Sequence, residues 1–201
     1  MTANEEVDLK RNAEATRERI LDAAMAEFSA YGIAGARVDR IAKTAGCNKN
    51  LIYIYFENKE TLFTTVLKKH LVRVYEDLPF TPDDLPGYAA RVFDFAMAHP
   101  NLMRLMTWFG LEQKVDSPAE RGTALGAKVA ALMKAQNAGQ VGTAFSPGFL
   151  LTAIMVLATA WTAANPFGPS LDPDAHKRPA ALRRSIAEAV RLLSEFKISG
   201  S

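Results

Sequence analysis

Between Lys134 and Asp172 the chain carries no charged side chain, and within that interval residues Gly148 to Ala164 read GFLLTAIMVLATAWTAA. A segment this apolar has two outlets, a lipid bilayer or a position buried on every side by protein. It approaches the roughly 20 apolar residues that a membrane span requires. Against a span, it is bounded by Pro147 and Pro166, contains three Thr, and has no cluster of Lys or Arg beside either end to fix an orientation. The expectation is therefore a central or subunit-interface helix, with no membrane partner.

The composition agrees with a packed protein. The 201 residues are 49% hydrophobic and 23% charged, which excludes disordered and fibrous classes. The single cysteine, Cys47, cannot form an internal disulfide, and the first thirty residues lack the basic, apolar and small-residue succession of a secretory leader. A reducing cytoplasm is expected. The net charge is only +2, but from Arg37 to Lys69 seven basic residues face three acidic ones. Ahead of that run, Glu5, Glu6, Asp8, Lys10, Arg11 and Glu14 have the composition of a mobile, solvated arm.

Everything else reads as helix. Ile20, Ala24, Phe28 and Tyr31, widened by Leu21 and Met25, trace one face of a first helix over about residues 14–31, with Gly32 as its stop. Val38, Ile41, Ala42 and Ala45 form a short second helix closed by Gly46, and Asn48 is placed to cap a third containing Leu51, Ile52 and Tyr55. Lys59 opens a fourth, with Leu62, Phe63, Val66 and Leu67 inward, which lasts until Pro79, Pro82 and Pro86. Pro86, Pro100, Pro118, Pro147 and Pro179 each precede an apolar-periodic run, where a missing backbone N–H costs nothing. No sustained alternation marks a strand and no internal repeat is present, so the fold class is all-α.

The segment Val38–Phe56, with two short helices around Ala45-Gly46-Cys47-Asn48, has the spacing of a helix-turn-helix. The turn requires a positive φ, which Gly46 alone adopts without penalty. In such a motif the second helix enters the major groove of DNA. Asn48, Lys49, Asn50, Leu51, Tyr53 and Tyr55 are then candidates by position, and Arg37, Lys43 and Lys59 lie in the surrounding basic run.

Thr16 to Phe63, TRERILDAAMAEFSAYGIAGARVDRIAKTAGCNKNLIYIYFENKETLF, resembles the DNA-binding domain of the TetR (tetracycline-repressor) family of bacterial transcriptional regulators. The resemblance lies in Tyr31-Gly32, Ile41-Ala42, Ala45-Gly46 and above all Tyr53-x-Tyr55-Phe56-x-x-Lys59-x-x-Leu62, and it covers about a quarter of the chain. It implies that Tyr53 and Tyr55 contact the DNA backbone, that Lys59 binds a phosphate, and that Asn48, Lys49 and Asn50 begin the recognition helix. Asn is suited to adenine and Lys to guanine or phosphate. Two positions depart from the family pattern. Arg37 replaces the usual Ser or Thr cap of the second helix, and Leu51 stands where a small or hydroxyl residue is usual, so that it meets a thymine methyl or packs inward.

The resemblance further implies two domains, an N-terminal arm with the helix-turn-helix over 1–58 and a helical effector-binding and dimerisation domain over 59–201. Phe93, Met97, Met103, Met106, Trp108, Phe109, Phe149 and Trp161 supply adaptable apolar groups for an effector pocket, or simply core. Leu150, Ile154 and Leu157 on the uncharged helix, with Leu182, Ile186, Val190, Leu193 and Phe196 on the last, are the expected dimer interface, a four-helix bundle between two subunits. His99, beside Pro100, reads as a helix-end residue.

The implied function is a regulator that binds a palindromic double-stranded operator as a homodimer. A small effector, apolar or aromatic, releases it, and the fourth helix transmits the change. A transcriptional activator and a helical protein-interaction adaptor are the alternatives. An enzyme is not expected. His70, His99 and His176 are too scattered for a metal face, and there is no phosphate loop or nucleophile elbow, so no cofactor or metal is called for.

Overall fold

The computed structural model describes residues 3–112, 119–163 and 165–195. Among these residues it is entirely helical: α1 (Ala3–Gly35), α2 (Val38–Ala45), α3 (Lys49–Phe56), α4 (Lys59–Asp77), α5 (Leu85–Ala98), α6 (Pro100–Leu111), α7 (Ala119–Asn137), α8 (Pro147–Thr159), α9 (Phe167–Leu171) and α10 (Pro179–Glu195). A single 3-10 turn, Ala175–Lys177, precedes α10. Pro100, Pro147 and Pro179 are the first residues of their helices and Pro86 is the second of α5. Pro118 and Phe196 lie outside the described residues.

The chain divides into two compact units, Met1–Leu71 with Arg104–Asp116, and Val72–Met103 with Ser117–Ser201. The division differs from the boundary expected after residue 58. The reason is that the first half of α4 belongs to the first core: Leu62, Phe63, Val66 and Leu67 are fully buried, and Phe63 meets Phe28 of α1 edge to face at 5.2 Å. Lys69 also pairs with Glu18 and Asp22 of α1.

Two expectations for the first unit are corrected. The acidic and basic residues of the expected arm lie on α1, which starts at Ala3, and Lys10–Glu6 and Arg11–Asp8 pairs one turn apart support that helix. Gly32 interrupts the helix where the sequence placed a stop: its backbone leaves the helical region at φ 66° and ψ −177°, a positive-φ conformation that favours glycine, and a last helical turn resumes beyond it to Gly35. Tyr31 is exposed, with the Arg40 guanidinium 4.4 Å over its ring, because the kink turns it away from the core that Ile20, Ala24 and Phe28 share.

In the second unit α5 packs on α10 and α8, and α7 packs on α8. One core unites Leu85, Tyr88, Val92 and Phe93 of α5 with Leu132 of α7, Leu150, Leu151 and Ile154 of α8, and Ile186 and Val190 of α10. The uncharged segment is not one helix through Ala164: α8 ends at Thr159, and turns follow at Ala160 and Trp161. Among the described residues no helix is long and apolar enough to cross a membrane.

Candidate nucleic-acid interface

The helix-turn-helix is assembled by directed polar contacts. Gly46 ends α2 in the left-handed conformation, φ 63° and ψ 41°, and Cys47 N–H donates to the Ala42 carbonyl at 3.0 Å. The Asn48 side chain then accepts from Asn50 N–H at 2.9 Å and caps α3. At the far end of α3, Glu57 adopts a positive φ of 62°, and the Asn58 side chain accepts from Thr61 N–H at 2.7 Å to start α4.

Arg37 makes no side-chain cap on α2. The start of α2 is held instead by an acceptor on α1, which takes the backbone N–H of the cap residue itself. The Glu27 carboxylate, 8% exposed, accepts from Arg37 N–H at 2.8 Å and from the Arg40 guanidinium at 2.8 and 2.6 Å. Burial alone would raise the Glu27 carboxyl, but its hydrogen bonds to Arg40 and Arg37 N–H outweigh that and hold it below the ordinary carboxylate range. Sequence reasoning missed Glu27. A lone acid on the apolar side of a predicted helix was the available signal.

The outer surface collects part of the expected set. Arg37, Lys49, Tyr53 and Lys59 line one open groove together with Asn58 and the acidic Asp39 and Glu60. Lys49 donates to Asp39 at 2.6 Å, which raises the ammonium's pKa and lowers the carboxyl's, and Arg37 stands 3.7 Å from the same carboxylate. Lys59 donates to the Ala36 carbonyl at 3.3 Å, at the start of α4. Lys43 and Asn50 are exposed outside the groove, while Leu51 and Tyr55 are half-buried, the Tyr55 ring 6.1 Å from that of Phe56. Asn48 spends its side-chain oxygen on the cap. Ile54, which sequence reasoning passed over, is 73% exposed.

On α6, Trp108 donates its indole N–H to the Ser29 carbonyl at 3.3 Å and lays its ring against Gly32, where a β-carbon would come within 2.7 Å of it. Trp108, Met106 and Phe109 thus belong to the first unit, and Phe109 is buried there. They do not join Phe93, Met97 and Trp161, which converge in the second unit on a cleft of about 330 Å³ including its open mouth. Leu182, expected at the interface, also lines this cleft, with Pro169, Pro173 and Pro179. The Trp161 indole N–H is buried and meets no acceptor among the described residues. Met103 is half-buried, Phe149 is exposed and stacks on Phe145 at 5.2 Å, and His99 caps α5 with its ring nitrogen 2.8 Å from the Phe95 carbonyl.

Four of the expected interface residues, Leu150, Ile154, Ile186 and Val190, are at most 2% exposed and therefore fill the core of their own unit, with no surface left for a partner. Leu157 and Leu193 pack partly against that core. The apolar surface on α8 and α10 comes instead from Phe149, Val156 and Leu192, each more than half exposed. No group of three metal-ligating side chains exists among the described residues.

A helix-turn-helix with a basic groove, followed by a separate helical unit, defines a DNA-binding transcriptional regulator rather than an enzyme, and the comparisons agree. Residues 20–66 match the family described as bacterial regulatory proteins, tetR family, and residues 84–191 match the tetracyclin repressor-like C-terminal domain. The chain belongs to the TetR family. It is 42% identical over 151 residues to the HTH-type transcriptional repressor SCO4008 of Streptomyces coelicolor, covering 74% of this chain and 79% of that one. With the HTH-type transcriptional repressor NicS of Pseudomonas putida it shares 32% identity over 51% of this chain and 52% of the relative. The crystal structure of Streptomyces coelicolor SCO4942 superposes with a TM-score of 0.79 at 35% identity, covering 89% of this chain and 98% of that one.

Proposed function

We propose that the chain is a repressor that binds a palindromic operator as a homodimer in the cytoplasm and is released by a small, largely apolar effector. The observation that carries the DNA-binding part is the groove that brings Arg37, Lys49, Tyr53 and Lys59 together beside the exposed face of α3. Three cationic side chains and a phenol at a groove edge suit a phosphate backbone, and the neighbouring helix face suits base edges. Lys43 and Tyr55 extend the backbone contacts. Lys49 exchanges Asp39 for a phosphate on binding, so the free protein holds its cation in place.

Repression is supported by the likeness to SCO4008 and NicS, both transcriptional repressors. Phe149, Val156 and Leu192 supply the apolar surface for a second copy, and the cleft at Phe93, Met97, Trp161 and Leu182 has walls for an apolar effector. The test is selection of bound sequences from a random duplex pool at two salt concentrations. A palindrome with salt-sensitive affinity is the expected product. Lys49→Ala should then lower the salt slope by about one. Recovery of no preferred sequence at either salt would overturn the reading.

A further inference from the structure

We infer that Ile54 reads the C5-methyl group of a thymine in each operator half-site, so that an apolar contact carries part of the sequence specificity; this rests on the DNA-binding function proposed above. Helix α3 buries Ile52 and Phe56. At 100° per residue, Asn50 and Ile54 lie about 160–200° around the axis from Ile52, at the centre of the outward face. Tyr53 and Lys49 lie toward one edge, where the basic groove begins. The groove thus holds the backbone from the side while Asn50 and Ile54 stand where base edges would pass.

Two polar groups beside that face are already engaged, which leaves Asn50 and Ile54 on it. Asn48 caps α3 through its side-chain oxygen, and Lys49 is paired with Asp39. Leu51, the apolar residue the sequence offered for a methyl contact, is half-buried. Ile54 is 73% exposed. A single exposed apolar side chain is unremarkable on most surfaces, but here it occupies the middle of a recognition helix with a groove holding Arg37, Lys49 and Lys59 along one edge. A hydrocarbon cannot read donors or acceptors. Its complement on the major-groove floor is the thymine methyl, which cytosine lacks.

The experiment begins with the duplex selected by the wild-type protein and replaces its thymines one at a time by uracil, which removes the methyl and keeps the pairing. At one thymine per half-site the wild type should bind about fourfold more weakly, the worth of one buried methyl group. Ile54→Ala should bind thymine and uracil duplexes equally, and Ile54→Val should restore the discrimination. Circular dichroism of both variants checks that the helices are intact. Equal wild-type binding at every thymine and uracil, or undiminished discrimination by Ile54→Ala, overturns the assignment while leaving DNA binding standing. A pool that yields no preferred sequence overturns both.

Discussion

Both units have an apolar core, but they differ in what is added to it. In the first, directed contacts between elements fix position around the core of Phe28, Ile41, Ile52 and Phe63: Glu27 to Arg40 and Arg37 N–H, Lys59 to the Ala36 carbonyl, Lys69 to Glu18, Trp108 to the Ser29 carbonyl. In the second, the centre is a continuous apolar volume drawn from α5, α7, α8 and α10. Directed contacts demand particular residues at particular spacings. Apolar volume demands only size and burial, which many sequences meet. A surface that must match a DNA duplex needs the first kind of order, and a unit that varies its contents can be built on the second.

Substitutions can break this contrast or sharpen it. The largest effect is expected at Gly32, where alanine combines a positive φ with a β-carbon driven into the Trp108 ring, and Gly32→Ala should cost about 4 kcal/mol in urea denaturation. Next, Ile154→Ala should cost about 3 kcal/mol through the cavity it leaves, whereas Ile154→Val should cost about 1 kcal/mol. If valine were as damaging as alanine, the second core would depend on shape as strictly as the first unit depends on its hydrogen bonds, and the contrast would fail.

Glu27→Gln should cost about 2 kcal/mol near neutral pH, because a neutral amide accepts more weakly from Arg40 and cannot serve its donors as a carboxylate does. The folded carboxyl titrates below its unfolded value of about 4.3. Its contribution is therefore complete above that unfolded value and is lost as pH falls through the lower folded one. Denaturation of wild type and variant should differ at pH 7 and converge in strong acid; a gap that persisted there would show that the side chain acts through packing. The smallest effects are expected at the two positive-φ turns. Gly46→Ala, with open space around the new methyl, should lose about 1 kcal/mol, and Glu57→Gly should gain about 0.5 kcal/mol, both read as shifts in the thermal midpoint.

The contrast also explains what could be read in advance. Gly46, the Asn48 cap, the start of α4 at Lys59 and the proline helix starts were legible because each is a local rule, satisfied within a few residues. Glu27 was not, since its partners lie ten and thirteen positions away and its role exists only when α1 and α2 touch. The break at Gly32 was legible, but the turn that resumes to Gly35 and the ring of Trp108 against Gly32 were not, since the latter comes from a residue far along the chain. In the second unit periodicity identified apolar helices but not which side met its own core. Ile154 and Val190 were taken for outer contacts, while Phe149 and Leu192 remain on the surface. On α3, Leu51 drew attention as an unusual residue, and Ile54 became visible only through its exposure.

Glu27 lies on α1, yet it anchors the start of α2. A helix start is ordinarily written in the residue at the start itself, so any change there both moves the helix and alters the surface. Here the anchoring has been moved inward, and residue 37 is free of it. Its side chain can be exchanged to suit a different stretch of backbone on the operator while α2 continues to begin at the same place. The motif is thereby divided into an inner frame that stays constant and an outer skin that can be rewritten, and a peptide cut to span only α2 and α3 would carry the skin without the frame.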